Sequence, residues 1–199
     1  MSEEIKATVS SWNLPNALTL VRLLLVPVFV VVAWVGFDRD DQAWQAWSAL
    51  IFLTAAITDL LDGELARRTD KVTAFGKIAD PIADKALTGS ALVVLSWFGL
   101  LPWWVTAVII VREVGVTALR FWVIRHGVMA ASRGGKLKTA LQIVAITLYL
   151  LPLASGAAVV AEVVMAAAVV VTLLTGIDYV LRAVTLRRHG SAAGGPPRD

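Results

Sequence analysis

The sequence predicts an all-α polytopic membrane protein, six transmembrane helices with both termini cytoplasmic. Three observations carry that prediction. The 199 residues are 58% hydrophobic and only 17% charged, with a mean hydropathy of +0.75, too apolar for a soluble globule of this size. Six apolar segments alternate with short polar connections. The basic residues collect on alternate connections: those after segments two and four, with the tail, hold Arg67, Arg68, Lys71, Lys77, Arg125, Arg133, Lys136, Lys138, Arg187, Arg188 and Arg198. Those after segments one, three and five hold only Arg39, and by the positive-inside rule the basic side is the cytoplasm. Trp34, Trp44, Trp47, Trp97, Trp103 and Trp104 fall at the other interface, as an aromatic belt does.

Residues 1–14 form a short polar cytoplasmic segment without the basic start, short apolar core and cleavage site of a signal peptide, so no removal is expected. Pro15 and Asn16 give a helix-start signal for the first segment, which runs to about Phe37 and carries Asn16, Thr19 and Arg22 as a polar stripe. Arg22 either snorkels to the interface or faces a ligand. After the acidic turn Phe37 to Gln42, the second segment covers about Ala43 to Leu65. The third holds Asp80 and Asp84 and is apolar from Ala86 to Leu101; Pro81 predicts a helix start or a kink near Asp80. Pro102, Trp103 and Trp104 turn the chain into the fourth, about Val105 to Ile124, where Arg112 and Arg120 lie within about 80° of each other on a helix. A basic loop over 125–138 precedes the fifth segment, Thr139 to Leu153, and the sixth covers about Ala157 to Val184. A single transmembrane catalytic domain is expected over 1–187, with 188–199 a disordered tail rich in Gly, Ala, Pro and Arg.

The most informative stretch lies at the end of the second segment and the start of the third. Asp59, Asp62, Gly63 and Ala66 fall at i, i+3, i+4 and i+7, so on a helix two acids and two small residues share one stripe; Asp80 and Asp84 repeat the pattern at i, i+4. Four ionised carboxylates at mid-membrane would cost up to about 10 to 14 kcal/mol, at roughly 2.5 to 3.5 each. Three readings relieve the cost. Ordinary ion pairs with Arg67, Arg68, Lys77 and Lys85 in a solvated loop would need neither the doubled helical register nor the adjacent glycine. A proton or cation pathway is a second reading, from the transporter class. An all-oxygen site for Mg²⁺ or Mn²⁺, with phosphoryl-transfer chemistry, is the third.

The pattern Asp-x2-Asp-Gly-x2-Ala-Arg-x8-Gly-x3-Asp-x3-Asp, matched from Asp59 to Asp84 at every fixed position, resembles the signature of the CDP-alcohol phosphatidyltransferases. The opening Asn-x-Pro-Asn-x-Leu-Thr-x-x-Arg, Asn13 to Arg22, is similar to that family's as well. The resemblance implies one or two Mg²⁺ or Mn²⁺ ions on Asp59, Asp62, Asp80 and Asp84. It implies Asp84 as the general base, and a CDP-diacylglycerol site drawing on Asn16, Thr19, Arg22, Gly63, Ala66, Arg67 and Thr73. The segment from Val111 through Arg120, followed by Gly135 to Gln142, resembles the branch whose acceptor is sn-glycerol 3-phosphate and whose products are phosphatidylglycerophosphate and CMP. On that resemblance Arg112, Lys136 and Lys138 bind the acceptor's phosphate, with Arg120 and Arg182 as further candidates. The alternatives are positive-inside topology for the lysines and, for Arg112, an ion pair with Glu113 or Asp178. Sister branches use inositol phosphate, serine or phosphatidylglycerol on the same scaffold, and the core motif does not separate them. The family likeness also implies a homodimer in the cytoplasmic membrane, surrounded by lipid, with its active site facing the cytoplasm.

Other chemistries are excluded more simply. No cysteine is present, which removes disulfides, thiolate catalysis and cysteine-bound metal. His126 and His189 are too few and too separated for a histidine zinc site. The net charge of +3 comes without a nucleic-acid motif, so no nucleic-acid partner is expected.

Overall fold

The computed structural model describes residues 14–69, 74–123 and 133–192, with side chains described over 20–58, 85–119, 134–154 and 156–185. Among the described residues the regular structure is all helix, joined by short turns: α1 Leu14–Asp38, α2 Gln42–Thr69, α3 Ala74–Trp97, α4 Trp103–Val123, α5 Arg133–Leu150 and α6 Ser155–Ala192, with no strand. The helices fall into two compact units. One holds α1, α2 and α3 as far as Val94, with Leu150–Pro152; the other holds the remainder from Leu95.

In the first unit α1 and α2 form an antiparallel hairpin around the expected acidic turn. Asp40 takes a left-handed conformation (φ 50°), which an aspartate tolerates better than most residues. Asp41 caps α2: its Oδ1 accepts from the Ala43 amide at 2.9 Å and the Trp44 amide at 3.3 Å, satisfying amides that have no partner within the helix. The helices meet closely because Gly36 has no side chain. A Cβ there would sit 2.8 Å from the Gln45 amide nitrogen, so the carbonyl of Gly36 is free to accept from Gln45 Nε2 at 3.3 Å. Deeper in the hairpin Phe29 and Phe52 pack as a tilted ring pair, centroids 5.8 Å apart, among buried Ala33, Ala49 and Ala55.

In the second unit the last turn of α3 is closed by Gly99 in the left-handed region (φ 74°), with the Leu100 amide donating to the Leu95 carbonyl at 2.9 Å. The turn at Pro102 then starts α4, as the sequence predicts. Ser96 and Thr106 join their hydroxyls at 2.6 Å across this hairpin, both buried, so neither polar group is left unmet in an apolar layer. Gln142 on α5 donates to Thr172 on α6 at 3.2 Å for the same reason.

Three boundaries differ from expectation. α3 begins at Ala74, ahead of Asp80, so Pro81 lies inside the helix rather than at its start. α5 begins at Arg133, so Lys136 and Lys138 are helical instead of lying in a loop; glycines 134 and 135 are tolerated because a first turn has few intrahelical bonds to weaken. α6 continues to Ala192, past the expected end at Val184 and into the residues read as a disordered tail. Leu186, Arg187 and Arg188 are helix formers, and cations near a helix C-terminus are favoured by its dipole. Residues 193–199 lie outside the described residues.

Among the described residues two stretches are long and apolar enough to cross a membrane, Leu20–Asp38 in α1 and Gly156–Thr185 in α6, each with a mean hydropathy of 2.5. Only 22% and 28% of their residues are buried, whereas a core helix of a soluble protein would be covered on most sides. Lys85–Trp97 in α3 is a shorter apolar stretch. Valines and leucines are exposed along α1, α4 and α6, and Trp34, Trp44, Trp47, Trp97, Trp103 and Trp104 are exposed near helix ends, which is the pattern of a lipid-facing surface.

The Gly36 contact yields a prediction. Gly36→Ala places its Cβ against α2 backbone that cannot swing aside, and should destabilise the protein by about 1 to 3 kcal/mol. Gly89→Ala, where nothing lies within 4 Å of the new Cβ, should be neutral or stabilising by up to about 1 kcal/mol. Thermal unfolding of the detergent-solubilised variants by circular dichroism checks both.

Candidate active site

The acidic motif occupies the ends of two consecutive helices in the first unit. α2 carries Asp59, Asp62, Gly63, Ala66 and Arg67, and α3 carries Gly76, Asp80 and Asp84. Both halves are helical throughout, so the spacings i, i+3, i+4 and i+7 on α2 and i, i+4 on α3 do give one stripe on each helix. The side chains over 59–84 lie outside the described residues, and so does Thr73 altogether. Asn16 and Thr19 are residues of α1 whose side chains are likewise outside them. Arg22, also on α1, is described: it is 2% exposed, so it does not snorkel along the lipid surface but lies within the protein. Among the described residues no group of three or more His, Cys, Asp or Glu gathers.

The second cluster belongs to the other unit and is described in full atomic detail. Arg112 and Glu113 on α4, Lys138 on α5, and Thr175 and Tyr179 on α6 converge in helices that are otherwise apolar. Glu113 Oε1 accepts from Arg112 Nη1 at 3.1 Å and from the ammonium of Lys138, so one carboxylate oxygen joins two cations from two helices. Arg112 Nη2 donates to Thr175 Oγ1 at 2.8 Å, and that hydroxyl donates onward to the Val171 carbonyl at 2.7 Å. The guanidinium carbon lies 5.7 Å from the ring centroid of Tyr179, within cation–π range. The side chains of Arg112, Glu113 and Lys138 are only 11%, 19% and 7% exposed, so these contacts form where the dielectric is low and are stronger than their surface counterparts.

α6 meets Arg112 closely because residue 176 is glycine. A Cβ there would come 3.2 Å from Arg112 Cγ and 3.6 Å from Nε. That Nε is buried and, among the described residues, makes no hydrogen bond. An orphaned donor of this kind costs roughly 1 to 3 kcal/mol unless something else satisfies it. With N–H donors to spare on Arg112 and a second cation, Lys138, beside it, the arrangement is suited to an anion.

The five cations expected at an acceptor phosphate are therefore divided. The structure brings Arg112 and Lys138 together and pairs Arg112 with Glu113; Asp178, the other acid considered for it, is taken by Arg182 at 2.9 Å. Lys136 is exposed on α5, and Arg182 is exposed on α6. Arg120 is a residue of α4 whose side chain lies outside the described residues. Sequence reasoning missed Thr172, Thr175 and Gly176. Their signal was available: Thr172, Thr175, Gly176 and Tyr179 stand at i, i+3, i+4 and i+7, a polar and small stripe along an apolar helix.

Known proteins resemble this chain over most of its length. The family model for CDP-alcohol phosphatidyltransferase matches residues 12–174. A "Probable phosphatidylglycerophosphate synthase" of Mycobacterium tuberculosis H37Rv is 56% identical over 173 residues, covering 86% of this chain and 82% of that protein. The "CDP-diacylglycerol--glycerol-3-phosphate 3-phosphatidyltransferase" of Bacillus subtilis 168 is 39% identical over 180 residues, covering 84% and 93% respectively. A protein of the same name in Escherichia coli K12 is 42% identical over 141 residues, covering 68% and 75%. With a match that takes in the opening segment, both halves of the acidic motif and Arg112, Glu113 and Lys138, this chain belongs to the CDP-alcohol phosphatidyltransferase family.

Proposed function

We propose that the protein transfers a phosphatidyl group from CDP-diacylglycerol to sn-glycerol 3-phosphate, giving phosphatidylglycerophosphate and CMP. Family membership supports reading the acids of the motif as those of an enzyme and not of a cation pathway. The observation that carries the choice of acceptor is the largely buried Arg112 and Lys138 pair, two cations that suit a phosphorylated alcohol. Serine, which has no phosphate, would not need it. The relatives named for this same reaction support the reading.

In the proposed reaction a hydroxyl oxygen of glycerol 3-phosphate forms a bond to the phosphorus that bears diacylglycerol, while the bond from that phosphorus to the CMP oxygen breaks. Asp84 takes the proton of the attacking hydroxyl. Gly63 and Ala66, small on the same helical stripe as two acids, admit the cytidine close to the α2 backbone, while Arg67, Thr73, Asn16, Thr19 and Arg22 bind the lipid nucleotide. Arg112 and Lys138 hold the acceptor's phosphate, with Lys136, Arg120 and Arg182 contributing positive charge. Asp59, Asp62, Asp80 and Asp84 fit a hard divalent cation by the chemistry of their donors, carboxylate oxygens alone, set in pairs at i, i+3 and i, i+4 on two helices. When bound there, one or two Mg²⁺ or Mn²⁺ ions supply positive charge that offsets the carboxylates and the diphosphate.

The proposal includes the membrane setting. All six helices span the cytoplasmic membrane as a homodimer, with both termini and the motif on the cytoplasmic side. Support comes from the apolar, mostly uncovered stretches of α1 and α6, the exposed tryptophans and the bias of Lys and Arg toward alternate connections. Because the chain has no cysteine, single cysteines placed at Asp40 and His189 report orientation directly. In intact cells an impermeant maleimide should label the first and not the second, and the reverse result would invert the topology.

Two outcomes follow for the chemistry. With purified protein, CDP-diacylglycerol, Mg²⁺ and a mixture of glycerol 3-phosphate, inositol phosphate, serine and phosphatidylglycerol, product mass should show the glycerol 3-phosphate adduct, and preference for another acceptor would overturn the assignment. Arg112→Ala should then raise the KM for glycerol 3-phosphate roughly tenfold to a hundredfold, the loss of a charge-assisted contact, with little change for the lipid. At the acidic motif, Asp84→Asn should abolish CMP release while retaining binding of the lipid nucleotide. Asp59→Asn should lose Mn²⁺ binding by calorimetry as well, and near-normal turnover in Asp84→Asn would remove Asp84 as the base.

A further inference from the structure

Glu113 stands in a place where simple electrostatics would not put it. A site that attracts a phosphate is strengthened by cations and weakened by any carboxylate beside them. Yet Glu113 lies between Arg112 and Lys138 and accepts from both through one oxygen. It is 19% exposed, so solvent screens little of its repulsion for an incoming anion. A residue with that electrostatic disadvantage is explained if it supplies geometry.

The geometry needs supplying because the two cations come from different helices, α4 and α5, on long flexible side chains. Two like charges brought together without a counter-ion repel and swing apart. With Oε1 of Glu113 between them they are fixed to one point, and the two partners differ in kind: a planar guanidinium with several N–H donors and a compact ammonium. Thr175 completes the arrangement from α6. Its hydroxyl is committed to the Val171 carbonyl as a donor, so it can only accept toward Arg112, which orients Nη2. Tyr179 closes one side of the guanidinium, and Gly176 leaves the space it occupies. With Nη1 and Nη2 each spending one N–H on these anchors, the guanidinium retains an N–H on each, and Nε–H in addition is unbonded among the described residues. Those donors are held in one orientation before any ligand arrives.

We infer that Glu113 and Thr175 are positioning residues for the acceptor: they hold Arg112 and Lys138 as a preorganised pair that recognises the phosphate of the acceptor alcohol. The inference rests on the acceptor reading above and deepens it, since it explains how a site that holds a carboxylate between its cations selects a phosphorylated substrate. Preorganisation in place of raw charge also favours a compact phosphate that meets both cations at once over a diffuse anion such as a lipid headgroup that meets one.

The sign of one measurement tests it. Glu113→Gln removes a negative charge and keeps the shape. If Glu113 only attenuates the site, the variant binds phosphate more tightly. If it positions the cations, binding weakens although the site has become more positive. The expected result is a KM for glycerol 3-phosphate raised at least about tenfold, an inhibition constant for inorganic phosphate raised in parallel, and a KM for CDP-diacylglycerol within about twofold of the parent. Glu113→Asp, which keeps the charge, should recover part of the loss. An unchanged or lowered KM for the acceptor, or an equal rise for both substrates, overturns the inference. Where Glu113→Gln does not fold, Thr175→Val decides: it removes one acceptor without altering charge and should raise the acceptor KM selectively, and no selective rise overturns the inference. Arg112→Ala, measured alongside, separates the two levels of argument. Selective loss there with none in Glu113→Gln and Thr175→Val defeats only the positioning role, whereas equal effects of Arg112→Ala on both substrates defeat the acceptor site itself.

Discussion

The constraint on which this protein most depends is the cost of keeping ionised groups among apolar helices. Removing one partner of a buried ion pair costs about 3 to 5 kcal/mol, a large part of a domain's typical net stability. Arg112, Glu113 and Lys138, on α4 and α5, meet that constraint locally through one shared carboxylate oxygen and, from α6, a threonine hydroxyl and an aromatic face. The solution leaves one buried donor, Nε of Arg112, without a partner among the described residues. In a purely structural ion pair that would be a defect; under the proposed function it is where the acceptor's phosphate enters the electrostatic balance.

The same constraint operates on neutral polar groups. Ser96 with Thr106 and Gln142 with Thr172 are matched across helices because an unmet hydroxyl or amide in an apolar layer costs more than a matched pair contributes. Helix termini obey it as well: Asp41 caps α2, and Gly99 closes α3 with backbone bonds. Between these polar points packing falls to small residues. Gly36 lets α1 approach the backbone of α2, and Gly176 lets Arg112 lie against α6. Where a helix approaches a neighbour this closely, an added methyl group displaces either backbone or a functional side chain, so the glycines at these places serve packing and function together.

Chemistry and recognition are divided along the chain. The acidic motif lies on α2 and α3 of the first unit, and the Arg112 cluster lies on α4, α5 and α6 of the second. In the proposed reading, the segments that bind the phosphatidyl donor are distinct from those that select the alcohol. The division follows physically from what each must recognise. A diphosphate with hard cations calls for carboxylates at fixed helical spacing, whereas a phosphate monoester calls for oriented N–H donors.

Much of this was legible in the sequence. Helical class, six elements, the turn at Asp41 and the turn at Pro102 follow from apolar run length and from Pro, Gly and Asp positions, all local properties. The acidic motif was legible because its information is spacing along one helix, which the backbone period converts directly into a shared stripe. Boundaries were less so: the starts of α3 and α5 and the end of α6 lie in polar segments, where helix formation continues after the apolar signal stops. What the tertiary structure alone decided is which charges meet. Sequence offered Glu113 and Asp178 equally as partners for Arg112. The arrangement of α4 against α6 chose Glu113, α5 brought Lys138 to it as a second partner, and Asp178 was left to Arg182. The reason is that an ion pair between helices depends on their rotation and approach, which no spacing within a single helix encodes.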